Sequence, residues 1–220
     1  MIFKVIIFST LSLNLLCVFT LAFDPRPLQD FCVADQTSSA RLSGARACKD
    51  PTKVEADDFF FRGGLHLAGN TSNPTGSAST TVAVDQIPGL NTMGLILLRV
   101  DLRRNGSFPP HIHPRATELV TVLEGSMEIG FVTSHPGSNK HFSKVVRKGD
   151  VFVVPVGLVH YARNVGKGKA AALVAFNSQH PGFIFVPSGV FGTTPPIDAG
   201  YLASSFMLDQ KIVEDLQKKF

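Results

Sequence analysis

Between residues 92 and 186 the chain is broken again and again by Gly, Pro, Asn or Ser. This punctuation constrains the fold more than any other feature. The segments it leaves are Glu118–Leu123, Met127–Thr133, Phe142–Arg147, Asp150–Val154, Val159–Arg163, Ala170–Phe176 and Phe183–Val186. Each is too short for a stable helix and rich in apolar residues, which reads as a strand. Upstream, Thr80–Val84 alternates, Thr92–Leu102 is dense in aliphatics, and Phe59–Phe61 begins an extended apolar piece. With 19 Gly, 14 Pro and 18 Phe but no Trp, the composition fits an all-β sandwich or barrel of antiparallel strands.

The two ends differ from this middle. After Pro195-Pro196, Asp198 is placed to cap a helix through Phe206. Asp209 is placed to cap a second, with Ile212, Val213, Leu216 and Phe220 on one face. That stripe packs on its own barrel or clasps a neighbouring subunit. Met1–Ala22 reads as a signal peptide: one charge at Lys4, then an apolar run too short and too rich in Ser, Thr and Asn for a membrane span. The expected partition is a signal peptide at 1–22, an N-terminal extension at 23–60, a β-barrel at 61–195 and a helical segment at 196–220. After cleavage the protein is expected to be secreted, with no membrane association.

Cys17 leaves with the signal peptide, and Cys32 and Cys48 remain as an even pair in an oxidising compartment. A disulfide between them follows. It closes a loop of about 15 residues, worth roughly 3 kcal/mol of chain entropy. Asn70-Thr71-Ser72 and Asn105-Gly106-Ser107 are glycosylation sequons. Asn70, in a polar turn-rich segment, is the better candidate; Asn105 doubles as an Asn-Gly turn. The formal charge is only +4 and the basic residues are scattered, so no nucleic-acid partner is expected.

The chemistry concentrates in Pro109–Glu118. His111 and His113 leave the same face of an extended strand, and the flanking prolines disfavour helix. Glu118 is five residues past His113, the wrong parity for one straight strand. A turn through 114–117 removes that objection, starting a new strand on which Glu118 faces inward with Val120 and Val122. Gly125 then ends that strand and allows a hairpin to Ser126. A second block, Gly149 to Asn164, supplies His160 after a tight turn at Pro155-Val156-Gly157. Three imidazoles and one carboxylate make a mixed nitrogen and oxygen ligand set: His111, His113, Glu118 and His160. On an octahedral ion they leave two positions open. Mn or Fe fits best, with Ni, Cu and Zn open, and the lack of a thiolate excludes a closed Cys-type zinc site. His66, His135, His141 and His180 read as surface or structural residues.

These residues resemble the cupin superfamily, and closely the germin-like proteins of plants. His111, His113, Glu118 and Gly125 match the first cupin block; Gly149, Pro155, Gly157, His160 and Asn164 match the second. PPHIHPRATE at 109–118, LQDFCVAD at 28–35, CKDP at 48–51, AGNTSNP at 68–74 and FNSQHPG at 176–182 give the germin character. The resemblance implies a jelly-roll β-barrel, Mn2+ at the four ligands and the Cys32–Cys48 disulfide. It also implies a cell-wall homo-hexamer, a trimer of dimers clasped by C-terminal helices. Two departures stand out. Asn105 occupies a cupin glycine position. The germins that oxidise oxalate carry asparagines at the positions matching Leu98 and Phe108.

Leu98 and Phe108 cannot hydrogen-bond a dianion drawn out of water, which counts against oxalate oxidation. The leading expectation is superoxide dismutation, with His111, His113, Glu118 and His160 acting through the metal in a small pocket narrowed by Leu98 and Phe108. The alternatives are oxalate oxidase and a non-catalytic, auxin-binder-like wall protein.

Overall fold

Ten antiparallel strands form two five-stranded sheets, described in a computed structural model over residues 29–42, 45–135 and 138–220. The chain divides into two units, Met1–Phe31 and Cys32–Phe220. The second carries the fold described below; the expected signal peptide lies outside the described residues. A small ribbon pairs β1 (Arg41–Leu42) with β2 (Ala45–Arg46). The main strands are β3 (Ser77–Val82), β4 (Ile96–Leu102), β5 (Ser107–Ile112), β6 (Glu118–Glu124), β7 (Ser126–Val132), β8 (His141–Arg147), β9 (Val151–Val154), β10 (Val159–Asn164), β11 (Ala170–Phe176) and β12 (Ile184–Phe185). One sheet runs β12-β5-β10-β7-β8 and the other β3-β4-β11-β6-β9. From β4 onward the chain repeatedly crosses from one sheet to the other, as in a jelly roll.

Strand alternation explains the core. Along β6, Glu118, Val120 and Val122 are buried, whereas Leu119 is 44% exposed. Val100, Leu102, Met127, Ile129, Val174 and Phe176 join the two valines between the sheets. Apolar inner faces with solvated outer faces are the usual solution for an antiparallel sandwich.

Gly125 is where the structure departs from the expected hairpin. It leads from β6 into β7, which lie in different sheets, so it makes a corner rather than a hairpin. Its φ is +76°, and a side chain there would come within 2.5 Å of the Lys169 carbonyl oxygen. Only glycine fits a corner so close to another backbone.

Asn164, buried at the end of β10, clamps a different set of turns. Its amide donates to the carbonyls of Leu102, Arg103 and Gly168, and its Oδ1 accepts from the Gly166 amide. Both sequon asparagines, Asn70 and Asn105, are exposed. Asn105 adopts φ +59°, so asparagine fills the left-handed position that the cupin pattern gives to glycine.

The Cys32–Cys48 disulfide is formed. It staples a segment that docks by backbone hydrogen bonds such as Ala34 N to Pro88 O (2.9 Å). Fully buried Asn91 pairs with both the amide and the carbonyl of Arg46. Instead of starting an extended piece, Phe59 closes a short 3-10 turn, Ala56–Phe59.

Three helices follow β12: α1 (Val186–Phe191), α2 (Ala199–Phe206) and α3 (Gln210–Lys219). Asp198 and Asp209 cap the last two, accepting from Tyr201 N and Lys211 N. The expected strand over Phe183–Val186 is only two residues long, because Pro187 in the first turn starts α1. Of the apolar stripe on α3, Val213 is fully buried against Leu202 and Ala203, while Ile212 and Phe220 are each 50% exposed. Among the described residues, no helix is long and apolar enough to cross a membrane.

Candidate metal centre

Four buried side chains converge near one end of the barrel. His111 lies on β5, His113 one residue beyond it, His160 on the neighbouring β10, and Glu118 opens β6 in the facing sheet. One potential ligand atom from each falls within 4.8 Å of all the others.

The Pro109-Pro110 pair shapes this arrangement. Neither residue has an N–H to give to the ladder, and the β5–β10 register slips by one between the pairs His160–His111 and Ala162–Phe108. The extra residue is a bulge of the kind that re-aims side chains near sites. It leaves His111 directly opposite His160, their ring centroids 4.1 Å apart. The turn at Pro114-Arg115 then carries the chain across to β6, so Glu118 reaches the histidines from the other sheet. Its Oε2 is 2.9 Å from His160 Nε2 and 3.4 Å from His113 Nε2.

Each imidazole is oriented by a backbone carbonyl. The Nδ1 atoms of His111, His113 and His160 donate to Pro109 O (2.8 Å), Gly182 O (2.6 Å) and Leu158 O (2.8 Å). A carbonyl oxygen can only accept, so Nδ1 carries the hydrogen and Nε2 of the neutral ring is a bare lone pair. Burial, followed by the neighbouring charge of His160, lowers the His111 pKa to about 4. Burial pushes the Glu118 carboxyl up, but in the metal-free protein a proton on Nε2 of His113 or His160 hydrogen-bonds it, which outweighs burial and holds the pKa down at about 2. With that proton removed, three ring lone pairs and a carboxylate face one point. Four acceptors without a donor repel one another unless a cation lies among them. This donor set fits a metal ion, with carbonyl anchors of the type that orient metal-binding histidines.

The centre opens into a cavity of about 600 Å3. Its walls include Leu98, Val100, Phe108, Val120, Ile129 and Val174. Leu98 and Phe108 do face the site, but the small, narrow pocket expected from them is corrected by this volume. They make the wall apolar without closing it. Phe183 packs against His111 and His113 at centroid distances of 4.9 and 5.5 Å. No motif singles out Phe183, because only the fold of the 179–183 loop brings it here. His180, surface or structural by sequence context, is exposed and also lines the cavity. Tyr161 directs its hydroxyl to Glu128 (2.8 Å), and Asn164 is committed to its turns, so neither presents a proton to the centre.

A jelly-roll barrel with three histidines and one glutamate at an open centre defines a class of metal-binding β-barrel proteins. The profile of the family described as Cupin matches residues 64–214. A putative germin-like protein 2-3 of Oryza sativa subsp. japonica is 55% identical over 199 residues, covering 90% of this chain and 88% of the relative. Germin-like protein subfamily 1 member 13 of Arabidopsis thaliana is 50% identical over 218 residues, covering 99% and 97%. A solved structure of recombinant oxalate oxidase in complex with glycolate is 46% identical, with a TM-score of 0.83 over 90% of this chain and 98% of that one. The chain belongs to the cupin family and, within it, to the germin-like proteins.

Proposed function

We propose that this protein is a secreted, manganese-dependent superoxide dismutase of the cell wall, producing hydrogen peroxide. The observation that carries the proposal is the cluster of four acceptors opening into a cavity whose wall is apolar at Leu98 and Phe108. When bound, a redox metal supplies the electron relay by which one superoxide leaves as dioxygen and a second, with two protons from water, leaves as hydrogen peroxide. His111, His113, Glu118 and His160 hold the ion; the carbonyls of Pro109, Gly182 and Leu158 fix the three rings. An apolar wall at Leu98 and Phe108 is no handicap for a diatomic substrate. Purified protein loaded with Mn2+ should dismute superoxide well above the same concentration of free Mn2+, and activity no higher than free ion sinks the proposal.

Oxalate oxidation is the second reading, favoured by the 46% identity to an oxalate oxidase structure. Against it stands the absence of amides at Leu98 and Phe108 to satisfy a desolvated dianion. The double variant Leu98→Asn/Phe108→Asn should gain oxalate turnover, whereas high turnover by the unmodified protein would reverse the preference.

The proposal extends to the rest of the chain: cleavage after residue 22, an extension to 60, a barrel to 195 and a helical segment beyond. Glycosylation at Asn70, with Asn105 a second acceptor, is supported by the exposure of both asparagines. A hexamer is supported by apolar side chains left in water, including Val151 (56% exposed), Val153 (52%) and Met207 (94%). Mass spectrometry of the secreted protein and sedimentation analysis check these points.

A further inference from the structure

We infer that Arg115 guides small anions to the centre. It is the only Lys or Arg among the described residues lining the cavity. The side chain is exposed yet held in place. Its backbone amide donates to Pro181 O (3.0 Å) and its Nε to His180 O (2.8 Å). One of the Nη nitrogens lies against Gly182, where an added side-chain carbon would stand 3.0 Å from it. The carbonyl of that same glycine anchors His113. The guanidinium therefore sits next to the loop that orients a ligand. No hydrogen bond or ion pair to the described residues engages its Nη nitrogens.

Glu118 is the only Asp or Glu in the lining, and it is buried among the histidines. Arg115 thus adds a full positive charge, uncompensated by any described lining residue other than the buried Glu118, where the cavity meets solvent. Apolar walls such as Leu98, Phe108 and Phe183 do not screen that charge as water does. Like-signed charge lining a low-dielectric cleft raises the local concentration of the oppositely charged ligand and falls off with salt. The ligand class is a small anion, whether superoxide or a small carboxylate. The inference rests on the four residues being a metal centre, but not on superoxide being the substrate.

The test follows anion binding rather than turnover. Azide and glycolate are titrated into Mn-loaded protein at low and high salt, with binding read from the metal's paramagnetic resonance spectrum. Wild-type affinity for both should fall as salt rises. Arg115→Gln should bind azide about five- to tenfold more weakly at low salt and lose most of the salt dependence. Arg115→Lys should retain both, and Lys144→Gln, an exposed charge away from the cavity, should match wild type. The inference is overturned if Arg115→Gln matches wild type at low salt, or if Lys144→Gln weakens azide equally. Arg115→Gln could disturb the Gly182 loop and lose metal. The decision then passes to Arg115→Lys, whose wild-type salt dependence supports the inference and whose loss of it overturns it. If azide alone responds, guidance is limited to the smallest anions; if glycolate responds equally, it extends to carboxylates. Absence of superoxide turnover with these titrations intact removes the dismutase proposal and leaves this inference standing.

Discussion

The two walls of the central cavity are built on different terms. On one, three histidine rings held by main-chain carbonyls and one glutamate face one another with lone pairs. On the other, residues such as Val100, Val120, Ile129 and Val174 interdigitate between two sheets. The polar wall stores repulsion that a cation relieves, whereas the apolar wall supplies stability that needs no ligand. Chemistry and fold are therefore separable here, and substitutions on the two walls should fail in different ways.

The largest effect is expected from His160→Ala. Changes to groups that merely support a ligand weaken metal binding about 10- to 100-fold, so removing a ligand should weaken it by more than about 100-fold. Superoxide turnover should go with it while the far-ultraviolet circular dichroism of the barrel persists. Stoichiometric metal in that variant, by elemental analysis, would break the division between the walls.

Acid should act next, on the polar wall alone. The unfolded chain protonates His111 near pH 6.5 and the folded chain only near 4. Between those values the unfolded state binds the extra proton, so stability of the metal-free protein falls as pH falls, by on the order of 3 kcal/mol. Glu118, lowered from 4.5 to about 2, adds a loss of the same sign at still lower pH. Urea unfolding between pH 7 and 4 reads the first window; a flat profile would contradict the burial assigned to His111.

On the apolar wall, Ile129→Ala should cost about 2 kcal/mol, the low end for such a truncation because one side already faces the cavity. Metal stoichiometry should not change. The smallest effect is expected from Val120→Thr, two residues from Glu118 on the same inner face. Its buried hydroxyl should cost about 1 kcal/mol. If either change releases metal, the two walls are coupled and the comparison must be redrawn.

Much of this was legible in the chain itself. Strand positions could be read because Gly, Pro and Asn punctuate them, and β11 agrees to the residue, Ala170–Phe176. The starts of α2 and α3 were equally legible, because Asp198 and Asp209 act through local hydrogen bonds. The ligand cluster was visible as two histidines and a glutamate separated by a turn.

What could not be read was long-range. Nothing local distinguishes a hairpin at Gly125 from a corner; the pairing of β6 with β9 and β11 decides it. Asn91 looks like any turn asparagine until the stapled segment docks on it. Phe183 and Arg115 acquire their positions only when the 179–183 loop folds over the cavity. The cavity volume depends on how far apart the sheets stand, which no single strand encodes.

The carbonyl anchors at Pro109, Leu158 and Gly182 have one further consequence. Every amino acid carries a carbonyl, so replacing the side chain at 109 or 158 leaves the acceptor itself in place. Gly182 is the vulnerable member: its φ is +71°, and an added side-chain carbon would approach Pro114 to 2.7 Å. Mutational drift around this centre is thus filtered by backbone shape more than by side-chain chemistry. Loops near it can change in sequence and still inherit the same ring orientations.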